Sequence, residues 1–252
     1  MRSVSVANYI ALVEPLTVAW HAVNRCSTKD ARTALVVGAG PIGLAVLLVL
    51  KARGIESVVV VEVSLERRQL ASTLGATHVL DSQTEDVVVA VRAMTDDAGV
   101  DVAFECSAAQ AGLDIAVKGI RARGTVTIVS LYGEKPVIDA LDVVLREKTC
   151  GWCSDIRGWR FRSGHRSYLV GYVKANRGST YNTLPYADCV NLSAGQLDPR
   201  PLITNKIRME DVVDKGITAL IGQKNKQVKI LVDISLKPEA EGRTVLHDQL
   251  RL

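Results

Sequence analysis

The chain is poor in aromatics, histidine and cysteine. Aromatic residues fill 4% of its 252 positions, and there are four His and five Cys. The cysteines are odd in number and irregular in spacing, which argues against a disulfide framework. Lys and Arg outnumber Asp and Glu by 31 to 27, for a formal net charge of +4 and a pI near 8.8. These charges are scattered, with no basic stripe, so a nucleic-acid partner has little support. Long apolar runs are missing too. The longest, Ile42–Leu50, ends at Lys51 and is too short to span a bilayer, and no N-terminal stretch has the apolar core of a signal peptide. A soluble, cytoplasmic protein with no membrane partner is expected. Apolar residues are plentiful at 48%, with a mean hydropathy of +0.15, enough for a sizeable core in one or two domains.

The most informative stretch is Leu35-Val36-Val37-Gly38-Ala39-Gly40-Pro41-Ile42-Gly43-Leu44. An apolar run, read as a strand buried on both faces, enters three glycines spaced G-x-G-x-x-G. A second apolar run follows, read as a helix with Pro41 in its first turn, where no N–H is needed. Gly38 allows the tight turn, Gly40 lets a pyrophosphate approach the backbone, and Gly43 lets helix and strand pack closely. The helix N-terminus points free N–H groups and a partial positive charge at the same place. The next strand, Ser57–Val63, carries Glu62 about twenty positions after Gly43. An acid there accepts hydrogen bonds from ribose hydroxyls and repels a 2′-phosphate, so NAD is favoured over NADP. The bland alternative is a glycine-rich turn in an ordinary α/β protein, with Glu62 merely ending a strand.

From Ala34 onward strands and helices alternate. The strands are Ala34–Val37, Ser57–Val63, Thr77–Leu80, Val100–Glu105 and Thr125–Leu131; the helices are Pro41–Arg53, Leu65–Leu74, Asp86–Met94 and Ala111–Arg121. Short apolar runs alternating with helices predict an α/β fold: a doubly wound, Rossmann-type parallel sheet covered on both faces, with ligands at the carboxyl ends of its strands. Before it, Met1–Ile10 has no clear pattern, and Glu14-Pro15 opens a helix through Val23. After Lys148 the rhythm stops. Asp198-Pro199-Arg200-Pro201 predicts a rigid extended link, Met209–Leu220 an amphipathic helix, and Gln227–Ile234 an alternating strand. The tail from Lys237 is polar and expected to be loose.

The stretch Ala11-Leu12-Val13-Glu14-Pro15-Leu16-Thr17-Val18-Ala19-Trp20-His21-Ala22-Val23 resembles the segment before the cofactor domain of zinc-dependent medium-chain dehydrogenases, in the butanediol and sorbitol dehydrogenase branch. Val36–Gly43 is similar to that family's phosphate loop, and Asp101-Val102-Ala103-Phe104-Glu105-Cys106-Ser107 to its fourth strand. Pro201-Leu202-Ile203-Thr204, with Ile207 and the Met209–Ile221 helix, resembles its return segment. The resemblance covers about residues 11–148 and 195–235. It implies hydride transfer between NAD and a secondary alcohol or vicinal diol, with a zinc that binds the substrate oxygen as a Lewis acid. It implies cofactor-binding roles for Gly38, Gly40, Pro41, Ile42, Gly43, Glu62, Arg67, Cys106, Ser107, Val129 and Leu131. A small-molecule alcohol or diol is the expected partner, and a homo-oligomer is left open.

The sequence departs from the family in two places. Met1 falls where the family is finishing its catalytic domain, so residues 1–25 read as a remnant of that domain with its linking helix. Residues 26–148 read as the NAD-binding domain, 195–236 as the return segment of a GroES-like catalytic domain, and 237–252 as a tail. Glu14 matches a glutamate at or beside the catalytic zinc, but one carboxylate cannot hold a metal that takes about three protein ligands. The expectation is that zinc is not held by this chain; otherwise Glu14 is an acid at a helix start. Second, residues 149–194 do not resemble the family. Gly151–Tyr168, read one base later with permitted codons, gives G-A-A-I-Y-E-G-G-D-F-E-A-V-I-E-A-I, a strand entering an amphipathic helix. The segment is therefore read as mistranslated or disordered. A zinc site drawn from Cys150, Cys153, His165 and Cys189 fits no standard spacing and is set aside.

Arg67 and Arg68 are placed to touch adenine or ribose, or else to sit on a solvated helix face. Cys106 has no apparent base and is not read as catalytic. His21 lies in a helix and reads as a packing or surface residue rather than a base, and His78 and His247 offer no partner in sequence. The leading reading is the cofactor half of a zinc-dependent, NAD-linked alcohol or polyol dehydrogenase. The alternative from another class is a non-catalytic NAD(H)-binding protein. A methyltransferase also uses a glycine-rich loop, but the Glu14 segment and the Leu202–Ile234 return argue against it. Apolar faces on Met209–Ile221 and Gln227–Ile234 lead us to expect aggregation.

Overall fold

The computed structural model describes residues 6–26, 30–153, 198–223 and 225–233. Strands β1 (Thr33–Val37), β2 (Ser57–Val61), β3 (His78–Leu80), β4 (Val100–Glu105), β5 (Ile120–Ile128) and β6 (Thr149–Trp152) form one sheet in the order β3-β2-β1-β4-β5-β6. Every pairing in it is parallel. Parallel neighbours need long crossovers; helices α2 (Pro41–Ala52), α3 (Leu65–Thr73), α4 (Val87–Ala93), α5 (Gln110–Gly119) and α6 (Ala140–Leu145) lie in them. This is the doubly wound order expected, and the direction of winding reverses between β1 and β4, which opens a crevice at their carboxyl ends.

Alternate strand residues enter two cores. Ala34, Val36, Val58, Val60, Val102 and Phe104 pack with α2 and with α1 (Val6–Arg25). Leu35, Val37, Val59, Val61, Ala103 and Val126 pack with Val87 and Val91 of α4 and Leu113, Ala116 and Val117 of α5. Residues Gly43–Leu50 of α2 are buried without a break. A helix that is apolar all round must be covered on all sides, and α1 supplies the outer cover through Leu12, Leu16, Ala19, Ala22 and Val23. The segment 6–25 therefore shares one core with the sheet.

Several boundaries differ from those expected, each for a physical reason. Helix α1 runs from Val6, not from Glu14, so Pro15 lies inside it. An interior proline costs about 3 kcal/mol, and the buried stripe from Leu12 to Val23 holds the helix together across it. Strand β5 starts at Ile120 rather than Thr125, and its pairing with β4 shifts between Val100 and Val102. Close packing of Gly99 on Gly119–Arg121 (a Cβ there would lie 2.7 Å from the Gly119 carbonyl oxygen) brings the chain straight from α5 into the sheet. The rhythm does not stop at Lys148: Thr149–Trp152 forms β6, paired with Thr125–Ile128. The remainder of the segment read as mistranslated or disordered, from residue 154, lies outside the described residues, as does the tail from residue 237.

After the gap, Arg200–Leu202 makes a 3₁₀ turn where an extended link was expected. Asp198 accepts from the Arg200 amide at 3.1 Å and from Arg200 Nε at 2.6 Å, which curls the chain. Strands β7 (Ile203–Arg208) and β8 (Lys229–Asp233) pair in parallel. The expected Met209–Leu220 helix is broken into a 3₁₀ turn (Met209–Asp211), a π turn (Val212–Ile217) and α7 (Thr218–Gly222). Gly216 sits tight against Ile207, where a Cβ would lie 3.0 Å from Cδ1. Val213, Ile217, Leu220 and Ile221 are exposed, while Leu202 and Val228 join the core of the large sheet.

Candidate functional site

A cleft of about 620 Å³ opens at the carboxyl ends of β1, β2 and β4. Gly38, Gly40, Glu62, Arg67, Cys106 and Ser107 line it, together with Ala109, Gly112 and Asn225. Six residues singled out from the sequence thus meet in one place.

The glycines serve distinct geometric ends. Gly38 takes φ +96°, and a Cβ there would lie 3.0 Å from the backbone of Cys106 and Ser107. Its N–H donates to the Val61 carbonyl at 2.8 Å, tying the turn to β2. A Cβ on Gly43 would lie 1.8 Å from the Gly38 carbonyl oxygen. Gly40 precedes α2 with an ordinary φ of −73°, no side-chain group caps the helix there, and a Cβ would meet nothing within 4 Å. The room in front of Gly40, at a helix start with Pro41 in its first turn, is what an anionic group requires. Ile42 faces the core at the same turn.

Glu62 is buried at the end of β2. Its Oε2 accepts from the Ala39 N–H at 2.9 Å and its Oε1 from the Ser64 N–H at 2.9 Å, so it also braces the glycine turn. Arg67 approaches Glu62 at 3.9 Å and donates to the Gln227 carbonyl at 3.1 Å. Arg68 turns away: it pairs with Asp81 at 2.8 Å and donates to the Glu62 and Val63 carbonyls. Of the two arginines, only Arg67 faces the cleft. Ser64 accepts from the Arg67 N–H and donates to the Asn225 carbonyl at 3.0 Å, so the turn before β8 closes one wall.

At the other wall, Cys106 is half-buried, with its N–H donating to the Val37 carbonyl at 2.8 Å. Burial, then the nearby Glu105 and Cys153, push its thiol well above the ordinary range. It stays protonated at neutral pH, which removes it as a nucleophile. Val129 is buried and Leu131 is 81% exposed; both follow β5 outside the lining of the cleft. Glu14 is exposed on α1. Among the described residues no group of three or more His, Cys, Asp or Glu is placed to hold a metal ion.

The residue that sequence reasoning passed over is Glu105, fully buried at the end of β4. Its Oε1 accepts from the Ser107 N–H at 2.7 Å, the Ser107 hydroxyl at 2.6 Å and the Ala108 N–H at 3.1 Å. Its Oε2 accepts from the Ser130 hydroxyl. The available signal was a lone acid closing an otherwise apolar strand, directly before Cys-Ser.

Strand order and glycine turn define a Rossmann-type fold with a cleft at the carboxyl edge of its sheet. A family model described as zinc-binding dehydrogenase matches residues 41–158. The (R,R)-butanediol dehydrogenase of Neisseria gonorrhoeae is 34% identical over 228 residues, 90% of this chain and 57% of that protein. The human sorbitol dehydrogenase is 30% identical over 206 residues, 81% of this chain and 51% of that one. The crystal structure of 2R,3R-butanediol dehydrogenase from Bacillus subtilis superimposes with a TM-score of 0.69 at 34% identity, covering 89% of this chain and 57% of that one. Residues 41–158 match the zinc-binding dehydrogenase family, and the chain is similar to butanediol and sorbitol dehydrogenases while spanning a little over half the length of these relatives.

Proposed function

We propose that the chain binds NAD along the carboxyl edge of its sheet, as the cofactor half of a dehydrogenase acting on secondary alcohols or vicinal diols. The observation that carries this is the open space before Gly40 at the start of α2, with the buried Glu62 carboxylate beside it. In this reading Gly38, Gly40, Pro41, Ile42 and Gly43 hold the pyrophosphate. Glu62 accepts from the adenosine ribose, Arg67 flanks the adenine side, and Cys106 and Ser107 border the nicotinamide, with Val129 and Leu131 in the neighbouring loop beyond the cleft lining. The charge of Glu62 disfavours a 2′-phosphate, hence NAD over NADP. Bound NAD supplies a hydride acceptor; the residues named bind it and orient it.

The catalytic zinc of the family does not fit the residues described. Glu14 is exposed and has no second ligand beside it among them, whereas such a zinc takes about three protein ligands. No step is routed through a metal. We take 26–152 as the cofactor-binding unit and 198–233 as the return of the second unit. The printed names of the relatives support a diol or polyol as substrate.

The shortage of metal ligands among the described residues favours one second reading, a non-catalytic NAD(H)-binding protein. One set of measurements separates the two: NADH fluorescence titration, zinc content, and NAD-dependent oxidation of 2,3-butanediol by the purified chain. Enhanced NADH fluorescence with diol oxidation supports the enzyme. Enhancement without zinc or turnover supports the binding protein. No enhancement with either NADH or NADPH refutes both.

A further inference from the structure

We propose that Glu105 is a positioning residue for the nicotinamide half of the cofactor, a proposal that rests on the NAD reading above. Two loops leave the sheet side by side, residues 106–109 after β4 and residues 129–132 after β5. The Glu105 carboxylate holds both. Oε1 takes Ser107 and Ala108 of the first loop, and Oε2 takes the Ser130 hydroxyl of the second. The Glu105 carbonyl adds two further ties, accepting from Val129 N–H at 2.9 Å and Ser130 N–H at 3.3 Å.

Three features make this clamp hold the loops in a set shape. The carboxylate is fully buried, and a buried charge is costly unless its lone pairs are filled, so neither loop can leave without exposing that cost. Ala108 is held at φ 57°, a left-handed conformation that a residue with a Cβ seldom adopts unaided. Helix α5 closes over the clamp at Gly112, where a Cβ would lie 2.1 Å from Ser107 Oγ and 3.3 Å from Glu105 Oε1. Ser107 and Ala109 then line the cleft directly. Glu105 itself is not a lining residue, so its influence on a bound nicotinamide passes through the loops.

The test compares two ligands on the full chain: NADH, which reaches both ends of the cleft, and ADP-ribose, which lacks the nicotinamide. Glu105→Ala is expected to weaken NADH about tenfold while ADP-ribose stays within about twofold, the scale of one lost hydrogen-bonded clamp. Glu105→Gln keeps an acceptor for the Ser107 and Ala108 amides and offers an NH₂ to the Ser130 oxygen, so NADH affinity is restored to within about threefold. Ser130→Ala frees only the second loop and falls between. Equal weakening of both ligands by Glu105→Ala, or no change in NADH, overturns the proposal. Should that variant fail to fold, Ser130→Ala decides: NADH affinity equal to the original chain overturns it. An original chain that binds ADP-ribose but not NADH also overturns it, and one that binds neither overturns the NAD reading as well.

Discussion

Strand β4 carries an acid at each end, and the two behave differently. Asp101, at the amino end, accepts from the Arg32 and Thr33 amides at 2.9 Å, the Thr33 hydroxyl at 2.8 Å and Arg121 Nε at 2.8 Å. It joins the starts of β1, β4 and β5, elements already adjacent in the sheet. Glu105, at the carboxyl end, ties loops that run past the sheet to the cleft. Similar hydrogen-bonding chemistry thus closes one edge and shapes an opening at the other. Parallel strands explain the division: every loop that can reach a ligand leaves from the same edge, so the opposite edge is left to hold the sheet together.

The sharpest way to break this contrast is at the glycines of the carboxyl edge. Gly43→Ala sets a Cβ at 1.8 Å from the Gly38 carbonyl oxygen, and a loss of about 3 kcal/mol or more is expected in urea unfolding. A variant with unchanged midpoint would show that the turn relaxes freely.

Asp101→Asn tests the other edge. Burial works to raise the Asp101 carboxyl, but hydrogen bonds from Arg121, Thr33 and Arg32 outweigh it and bring it down to about 2. A carboxyl lowered on folding from 3.8 adds stability above about pH 4, which is lost as pH falls through 2. With allowance for solvent screening, the variant should cost about 1–2 kcal/mol at pH 7. The gap to the original chain should narrow between pH 4 and pH 2, and NADH affinity should not move. A gap that widens in acid would overturn the assignment.

Gly40→Ala should show the reverse pattern. Its φ suits any residue and its Cβ meets nothing, so Tm should hold while NADH binding weakens about tenfold, near 1.4 kcal/mol. Tm measured by calorimetry and NADH fluorescence together test this. Smaller again, Glu62→Gln should relax the preference for NADH over NADPH by several-fold, on the order of 1 kcal/mol, in paired titrations. The smallest effect is at Tyr132. Its hydroxyl is buried beside the Glu105 carboxylate and Ser130, and burial, then Glu105, push it well above its ordinary range. Tyr132→Phe removes that hydroxyl from beside Glu105, and stability should move by no more than about 1 kcal/mol in urea unfolding.

Much of this architecture was legible along the chain. The valine-rich runs at 34–37, 57–61 and 100–105 announce strands because a doubly covered strand must be apolar on both faces. Gly38, Gly40 and Gly43 announce the turn because their backbone conditions are local. The β7–β8 region was less legible. The apolar spacing over residues 209–221 predicts one helix, yet the chain changes pitch at Val212 and again at Thr218, with Gly216 of the π turn seated against Ile207. Strand β6 was hidden because four residues carry too little pattern, and only the open edge of β5 makes them a strand.

The sequence by itself determined the alternation of strand and helix, the glycine turn at the start of α2 and the acid at the end of β2. Each depends on covalent geometry and on spacings of a few residues. Only the tertiary structure decided that α1 continues through Pro15, because burial against α2 outweighs a lost hydrogen bond. It alone decided that Arg67 faces the cleft while Arg68 does not, since Asp81 and two carbonyls capture the second arginine. And it decided the place of Glu105. A buried carboxylate draws its worth from donors on two separate loops, and nothing in the spacing of residues 105, 107 and 130 declares that they meet.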